Sequence, residues 1–261
     1  MRFQDRTVIV TGGASGIGAV MAARFAAEGA AVVIAEINGD AGVATADQIP
    51  GARAVEVDVS APAEVRALIR EVQSEHGAVD VLVNNAAKCT DIAFDELTEA
   101  EWNADVDVTL KAAFLTSQAV LPGMVARGKG AIVNISSVNG VAYYGNEAYS
   151  AAKAGLLSLT RSLAVKYGPN GIRCNAVVPG TIRTPIWQKR IAVDPDVLDR
   201  AVRWYPLGRL GTAEDVSAAA LFLASDEAAW ITGVALPVDG GLLAGNFAMT
   251  TDIVVGQDPS M

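Results

Sequence analysis

The chain is poor in the side chains that hydrolysis and metal chemistry lean on. It has 1 histidine, His76, and 2 cysteines, Cys89 and Cys174, in 261 residues. A Ser-His-Asp hydrolase would have to be built on His76. That residue precedes Gly77 at the end of a helical pattern, where partial positive charge suits the helix dipole. The cysteines lie far apart in no ligand-spaced motif, which reads as buried free thiols, and no His, Cys or carboxylate cluster makes a metal set. Charged residues are only 19%, the net charge is −9, and there is no basic block, which argues against nucleic acid and anionic membranes as partners. No apolar run approaches the ~18 residues of a membrane span. Met1 to Arg6 lead into a strand without a signal-peptide pattern, so a cytoplasmic protein is expected. Hydrophobic residues are 51% of the chain, enough for a large core. No repeat, low-complexity tract or linker divides residues 1–261, so one domain is expected.

What is present is an alternation of strands and helices. Thr7–Val10 is a β-branched strand running into Thr11-Gly12-Gly13-Ala14-Ser15-Gly16-Ile17-Gly18, with a helix from Ala19 to Glu28 behind it. Such a turn presents backbone N–H groups and a helix N-terminus to a phosphate. Its spacing, Gly-x-x-x-Gly-x-Gly, is not the usual dinucleotide fingerprint, and any tight strand-to-helix turn can hold glycines. The next strand, Ala31–Ala35, ends on Glu36, placed to accept from a ribose 2′-hydroxyl and to repel a 2′-phosphate. Ile37-Asn38 supply no cation there. Further strands at 53–57, 79–83, 130–137, 173–178 and 234–238 alternate with helices at 40–48, 61–76, 101–125, 149–167 and 213–224. Ser60 is expected to cap the helix at 61, and Thr98-x-x-Glu101 is a capping box. This order implies an α/β fold, a doubly wound parallel sheet with helices on both faces. Ligands bind such sheets beyond the strand carboxyl ends, where Gly12, Glu36, Asp58, Asn85, Ser137 and Pro179 all fall. Segment 185–207 is irregular, with Trp187, Trp204 and Tyr205 among charges, and is expected to be a substrate loop or a surface helical hairpin. In the tail, 242–261, Leu242-Leu243, Phe247, Met249 and Ile253-Val254-Val255 are too apolar for a free end. They are expected to cover a subunit interface or the substrate mouth.

The densest chemistry lies between 130 and 167. Gly130–Ser137 is a strand ending on two hydroxyls, and Tyr149 and Lys153 lie one turn apart on one face of the following helix. An ammonium beside a phenol favours the phenolate, which makes Tyr149 a candidate general acid or base. Ser137 could steady the reacting oxygen. A buried helix whose Tyr and Lys reach the surface would show the same spacing.

Together these motifs resemble the short-chain dehydrogenase/reductase family over nearly the whole chain. TGGASGIG at 11–18 matches its cofactor turn, NNAA at 84–87 its NNAG with Ala87 in place of glycine, Ser137 with Tyr149-x-x-x-Lys153 its catalytic set, and PGTIRT at 179–184 and VDGG at 238–241 its later signatures. The resemblance implies a Rossmann-fold, nicotinamide-dependent oxidoreductase. Tyr149 would exchange the proton with the substrate oxygen, Lys153 would bind the nicotinamide ribose and lower the tyrosine pKa, and Ser137 would hold the substrate oxygen. Gly12, Ser15, Gly16, Ile17, Gly18, Glu36, Asp58, Val59, Asn85, Ala86, Pro179, Gly180, Ile182 and Thr184 would join Tyr149 and Lys153 around the cofactor, with Glu36 selecting NAD. The family pairs helices 101–125 and 149–167 between subunits, as a homotetramer or homodimer. One departure stands out: Thr109, in Val108-Thr109-Leu110-Lys111, takes the place of an Asn that in the family supports a water of the proton relay. The expected function is NAD-dependent interconversion of a small secondary alcohol and its ketone, with no metal. Asn139, Tyr143, Tyr144 and Trp187, with Lys88, Cys89 and Trp204, are candidates for the substrate wall and suggest an apolar or ring-bearing substrate. The alternatives are a 3-oxoacyl thioester reductase of the same family and a non-catalytic NAD-binding scaffold or sensor.

Overall fold

Strand β1 (Thr7–Thr11) is buried along its whole length. It lies in the interior of a sheet covered on both faces, where an unbroken β-branched run replaces alternation. The structure is a computed structural model describing residues 1–254. With β2 (Ala31–Glu36), β3 (Ala52–Glu56), β4 (Val81–Asn84), β5 (Gly130–Ile135), β6 (Ile172–Pro179) and β7 (Ala235–Val238), β1 forms a seven-stranded sheet among the described residues. The order is β3-β2-β1-β4-β5-β6-β7 and every pair is parallel. The expected α/β Rossmann fold is what is found.

Helices α1 (Gly16–Ala27), α2 (Gly39–Ala46), α3 (Pro62–His76), α4 (Glu99–Val106), α5 (Ala112–Arg127), α6 (Glu147–Tyr167) and α9 (Ala213–Ala224) supply the connections. The short α7 (Gln188–Val193) and α8 (Val197–Ala201) lie between β6 and α9. Side chains alternate across β1. Val8 and Val10 pack with Met21 and Phe25 of α1 and Leu221 of α9, while Ile9 joins Leu68 and Val72 of α3 and Val120 and Met124 of α5 on the other face.

Several local expectations change. The helix at 61 is not capped by Ser60. Its N-cap is Ala61, with Pro62 at the first helical position, where the missing N–H is an orphan in any case; the Ser60 hydroxyl instead donates to Asp58, 2.7 Å. Helix 101–125 runs from 99 to 127 but is interrupted by a π-turn at Asp107–Lys111. Thr98 and Glu101 form the full capping box, which is why it starts at 99. By length and composition the run Glu99–Arg127 could cross a membrane, against the expectation of no such stretch. Ala112, Thr116, Val120 and Met124 of this run are buried in the body of the protein. Segment 185–207 is not irregular: α7, α8 and two 3₁₀ turns surround a small core of Leu198, Tyr205 and Leu210. In the tail, Leu242 and Leu243 pack against Val138, Leu157 and Val178, and a helical turn, α10 (Phe247–Met249), exposes Phe247 and Met249. Val255 and the rest of the tail lie outside the described residues.

Candidate active site

The carboxyl rim is knitted together by short polar links. The Thr11 hydroxyl accepts from the backbone N–H groups of Asn85 and Ala86, both at 3.0 Å. Asn85 Nδ2 donates to the carbonyls of Thr11 (3.0 Å) and Gly12 (2.9 Å). The end of β4 is thereby tied to the glycine turn. At Gly18 a Cβ would stand 2.2 Å from the Gly12 carbonyl oxygen, so only glycine permits this approach. Gly12 has φ +61°, the region that favours glycine. Ser15 is the N-cap of α1 and makes no capping bond, which leaves its hydroxyl and the helix N-terminus for an anion. Glu36 turns back over the turn: its carboxylate accepts from Ala14 N–H at 3.4 Å and from Ile37 N–H at 3.1 Å. On the far side, the Thr184 methyl is 3.4 Å from the point a Gly16 Cβ would occupy. Loop 179–184 therefore closes against the glycine turn and brings Pro179, Gly180, Ile182 and Thr184 to the same cleft. The Tyr205 hydroxyl secures this loop, accepting from Thr181 N–H at 2.8 Å and donating to Thr181 Oγ1 at 2.7 Å. Asp58 lies two residues beyond β3 and accepts from Ser60 N–H, 2.8 Å; Val59 beside it is buried.

The candidate catalytic residues meet where β5 ends and α6 begins. Lys153 is 2% exposed. Its Nζ donates to the Ile135 carbonyl at 2.6 Å and lies 5.4 Å from the centre of the Tyr149 ring. The Ser136 hydroxyl donates to the Lys153 carbonyl at 3.0 Å. Gly140 lets the loop touch the helix, since a Cβ there would be 2.7 Å from the Lys153 carbonyl carbon. The Ser137 hydroxyl donates to Asn139 Oδ1 and accepts from Asn139 N–H, each at 3.2 Å. Asn139 Nδ2 in turn donates to the Gly145 carbonyl, 3.0 Å.

Burial pushes the Tyr149 phenol up to about 12, with Ser137 acting in the opposite direction, and burial pushes the Lys153 ammonium down to about 7. Loss of water favours the neutral form of both groups.

The substrate candidates separate. Asn139 is bonded directly to Ser137. Tyr143 is 79% exposed and donates to Glu147, 3.2 Å. Tyr144 is exposed as well, its phenol raised by partial loss of water and by Tyr205 and Asp239. Trp187 packs into the small core of segment 185–207, with its indole N–H on the Ile182 carbonyl, 3.0 Å, and Trp204 carries Arg203 on its ring, 4.4 Å from the centre. Thr109 is buried in the π-turn with its hydroxyl on the main chain of Lys88, 3.1 Å each way. Sequence reasoning missed Ser136, Gly140, Asp105 and the Asp91–Arg190 ion pair at the mouth, 2.5 Å. Only the Asn139-Gly140 dipeptide carried a local signal for any of these. A groove lined by Lys129, Ile172 and Trp230 opens on the opposite rim and shares no residue with this site.

Buried Ser137 and Lys153 and half-buried Tyr149 thus lie beside a glycine-lined cleft at the strand ends. A family model described as enoyl-(acyl carrier protein) reductase matches residues 12–243, and the chain belongs to the short-chain dehydrogenase/reductase family of oxidoreductases. It is 47% identical to the uncharacterized oxidoreductase C922.06 of Schizosaccharomyces pombe over 97% of this chain and 96% of that one. It is 43% identical to the cis-4-hydroxycyclohexanecarboxylate dehydrogenase of Sinomonas cyclohexanicum, covering 93% and 98%. The crystal structure of a short-chain dehydrogenase/reductase family oxidoreductase from Burkholderia thailandensis superposes with TM-score 0.91 at 43% identity, covering 97% of this chain and 98% of that one.

Proposed function

We propose that the chain is an NAD-dependent oxidoreductase that interconverts a secondary alcohol and its ketone, with Tyr149 as general acid/base. The observation that carries this reading is the meeting of Ser137, Tyr149 and Lys153 beside the cleft formed by the glycine turn, Asn85 and loop 179–184. A dinucleotide would be held by Gly12, Ser15, Gly16, Ile17 and Gly18 at its pyrophosphate, by Glu36 at the adenosine ribose and by Lys153 at the nicotinamide ribose. When bound, NAD supplies the hydride acceptor. The Ser137 hydroxyl would turn from Asn139 to hold the carbinol oxygen, and Tyr149, as its phenolate, would take the O–H proton while the carbinol carbon passes its hydride to the nicotinamide and the C=O bond forms. In reduction Tyr149 returns that proton. With the phenol raised to about 12, oxidation gains and reduction loses as pH rises above neutrality.

Glu36 disfavours a 2′-phosphate, so NAD is preferred over NADP and oxidation is the working direction. The aromatic residues around the mouth and the kinship with a cyclohexane-carboxylate dehydrogenase favour a ring-bearing alcohol. Trp102, Phe114 and Val165 are exposed on α4, α5 and α6, which suits pairing of these helices in a homotetramer or homodimer, and the cytoplasm is the proposed location. The family model's description favours one further reading, an acyl thioester reductase, but the net charge of −9 is a poor match for an acidic carrier. The test is Tyr149→Phe. Turnover falls at least about 100-fold while calorimetric NAD affinity stays within about threefold of wild type. Turnover within tenfold of wild type contradicts the assignment.

A further inference from the structure

Asp105 is 1% exposed, and among the described residues no cation pairs with it. The reaction proposed above makes no use of it. Both of its oxygens are committed to one residue outside its helix: Oδ2 accepts from Thr90 N–H at 2.8 Å and Oδ1 from the Thr90 hydroxyl at 2.7 Å. Four residues on, Thr109 grips Lys88 through the same kind of two-way contact, accepting from its N–H and donating to its carbonyl, both at 3.1 Å. A spacing of four puts both grips on one helix face. Lys88-Cys89-Thr90 is thus fastened at both ends, with Cys89 between the fixed points.

The other side of this strap faces the reacting group. Asn146, the N-cap of α6 three residues before Tyr149, donates to the Thr90 carbonyl at 3.2 Å. The strap thereby runs beside the first turn of α6, which carries Tyr149. Cys89 is exposed, against the expectation of a buried thiol, while Cys174 is buried; partial loss of water and the nearby Asp105 carboxylate raise the Cys89 thiol to about 11. A buried, uncompensated carboxylate is costly unless its hydrogen bonds are good, and here all of them go to the strap.

We propose that Asp105 and Thr109 are positioning residues that staple Lys88-Cys89-Thr90 to α4 and the π-turn, and so set the substrate wall beside Tyr149. This rests on the alcohol dehydrogenase reading for what the wall faces. It gives Thr109 a task other than a proton relay: its hydroxyl donates to the Lys88 carbonyl and accepts from the Lys88 N–H. Substrate selection depends on the staple, and proton transfer does not.

The staple is tested first without turnover. The chain has 2 cysteines and Cys174 is fully buried, so a neutral thiol reagent reports on Cys89. Thr109→Val raises the Cys89 labelling rate about tenfold or more (roughly 1.4 kcal/mol), and Thr109→Ser stays near wild type. Asp105→Asn puts an amide NH₂ against one Thr90 donor and raises deuterium uptake in the 84–92 peptide. Labelling and uptake within twofold of wild type in both variants overturn the staple. With an alcohol that the wild type oxidises, Thr109→Val raises the alcohol KM and changes the ratio of kcat/KM between a bulky and a small alcohol. The pH profile of kcat and the NAD KM stay in place. A displaced pH profile with unchanged labelling overturns the proposal in favour of a relay hydroxyl. Faster labelling in Thr109→Val, with no alcohol oxidised by the wild type, supports the staple and removes the functional reading instead.

Discussion

The two halves of the rim are held in different ways. The nucleotide half is fastened close to the main chain: the short Thr11 and Asn85 side chains bond to backbone groups and tie β1 to β4, and Gly18 lies against the Gly12 carbonyl. The substrate half is fastened by side chains reaching between separate segments, namely Asp105 to Thr90, Asp91 to Arg190 and Asp199 to Arg183. Two of those three are exposed ion pairs, each worth about 0.2–1 kcal/mol. The first half is rigid because any change meets main chain. The second can be retuned one side chain at a time, as a site that varies in substrate while keeping its cofactor requires.

Substitutions sharpen this contrast. The largest effect is expected at Gly18→Ala, where the new methyl meets the Gly12 oxygen at 2.2 Å and Asn85 Nδ2 at 2.7 Å. Relief requires main-chain movement, so calorimetric NAD affinity should fall tenfold or more and stability by about 1–3 kcal/mol. Unchanged NAD affinity would mean that the glycine turn does not hold the cofactor.

A smaller, pH-dependent effect comes from Lys153 and Tyr149. Lys153 is lowered from 10.5 to about 7, so between those values the unfolded chain binds the additional proton and stability rises with pH. Tyr149 is raised from 10.0 to about 12; its contribution is full below pH 10 and is lost on going through 12. Thermal melts of wild type and Lys153→Met should therefore diverge from pH 7 to 10, the wild type gaining relative to the variant. A difference that stays flat across that window would show that Lys153 keeps its ordinary pKa. The smallest effect is expected at Asp91→Ala. The exposed pair with Arg190 should cost less than about 1 kcal/mol of stability and move the alcohol KM a few-fold while the NAD KM stays put. An NAD KM that moved as far would erase the distinction between the halves.

The same contrast explains what could be read in the sequence. The glycine turn, Glu36, Asn85, Ser137, Tyr149 and Lys153 were legible because strand and helix periodicity place each of them locally at a strand end or on a helix face. The π-turn at Asp107–Lys111 was not, because its residues also suit an ordinary helix. Asp105 pairs with Thr90 across 15 positions and Arg190 with Asp91 across 99, separations that periodicity does not register. The upward push of burial on Tyr149 was not legible for a related reason: spacing predicts the neighbouring lysine, but burial is a property of the packed protein.

The central claim is hydride transfer from a secondary alcohol to NAD, and one assay reaches it most directly. Purified protein is given a panel of cyclic and open-chain secondary alcohols with NAD and, in parallel, with NADP, and the initial rate of absorbance by the reduced nicotinamide is recorded. The account predicts turnover of at least one ring-bearing alcohol, with kcat/KM at least about tenfold higher for NAD, roughly 1.4 kcal/mol. Equal efficiency with both cofactors, or no reduced nicotinamide from any alcohol in a protein that binds NAD, would contradict it.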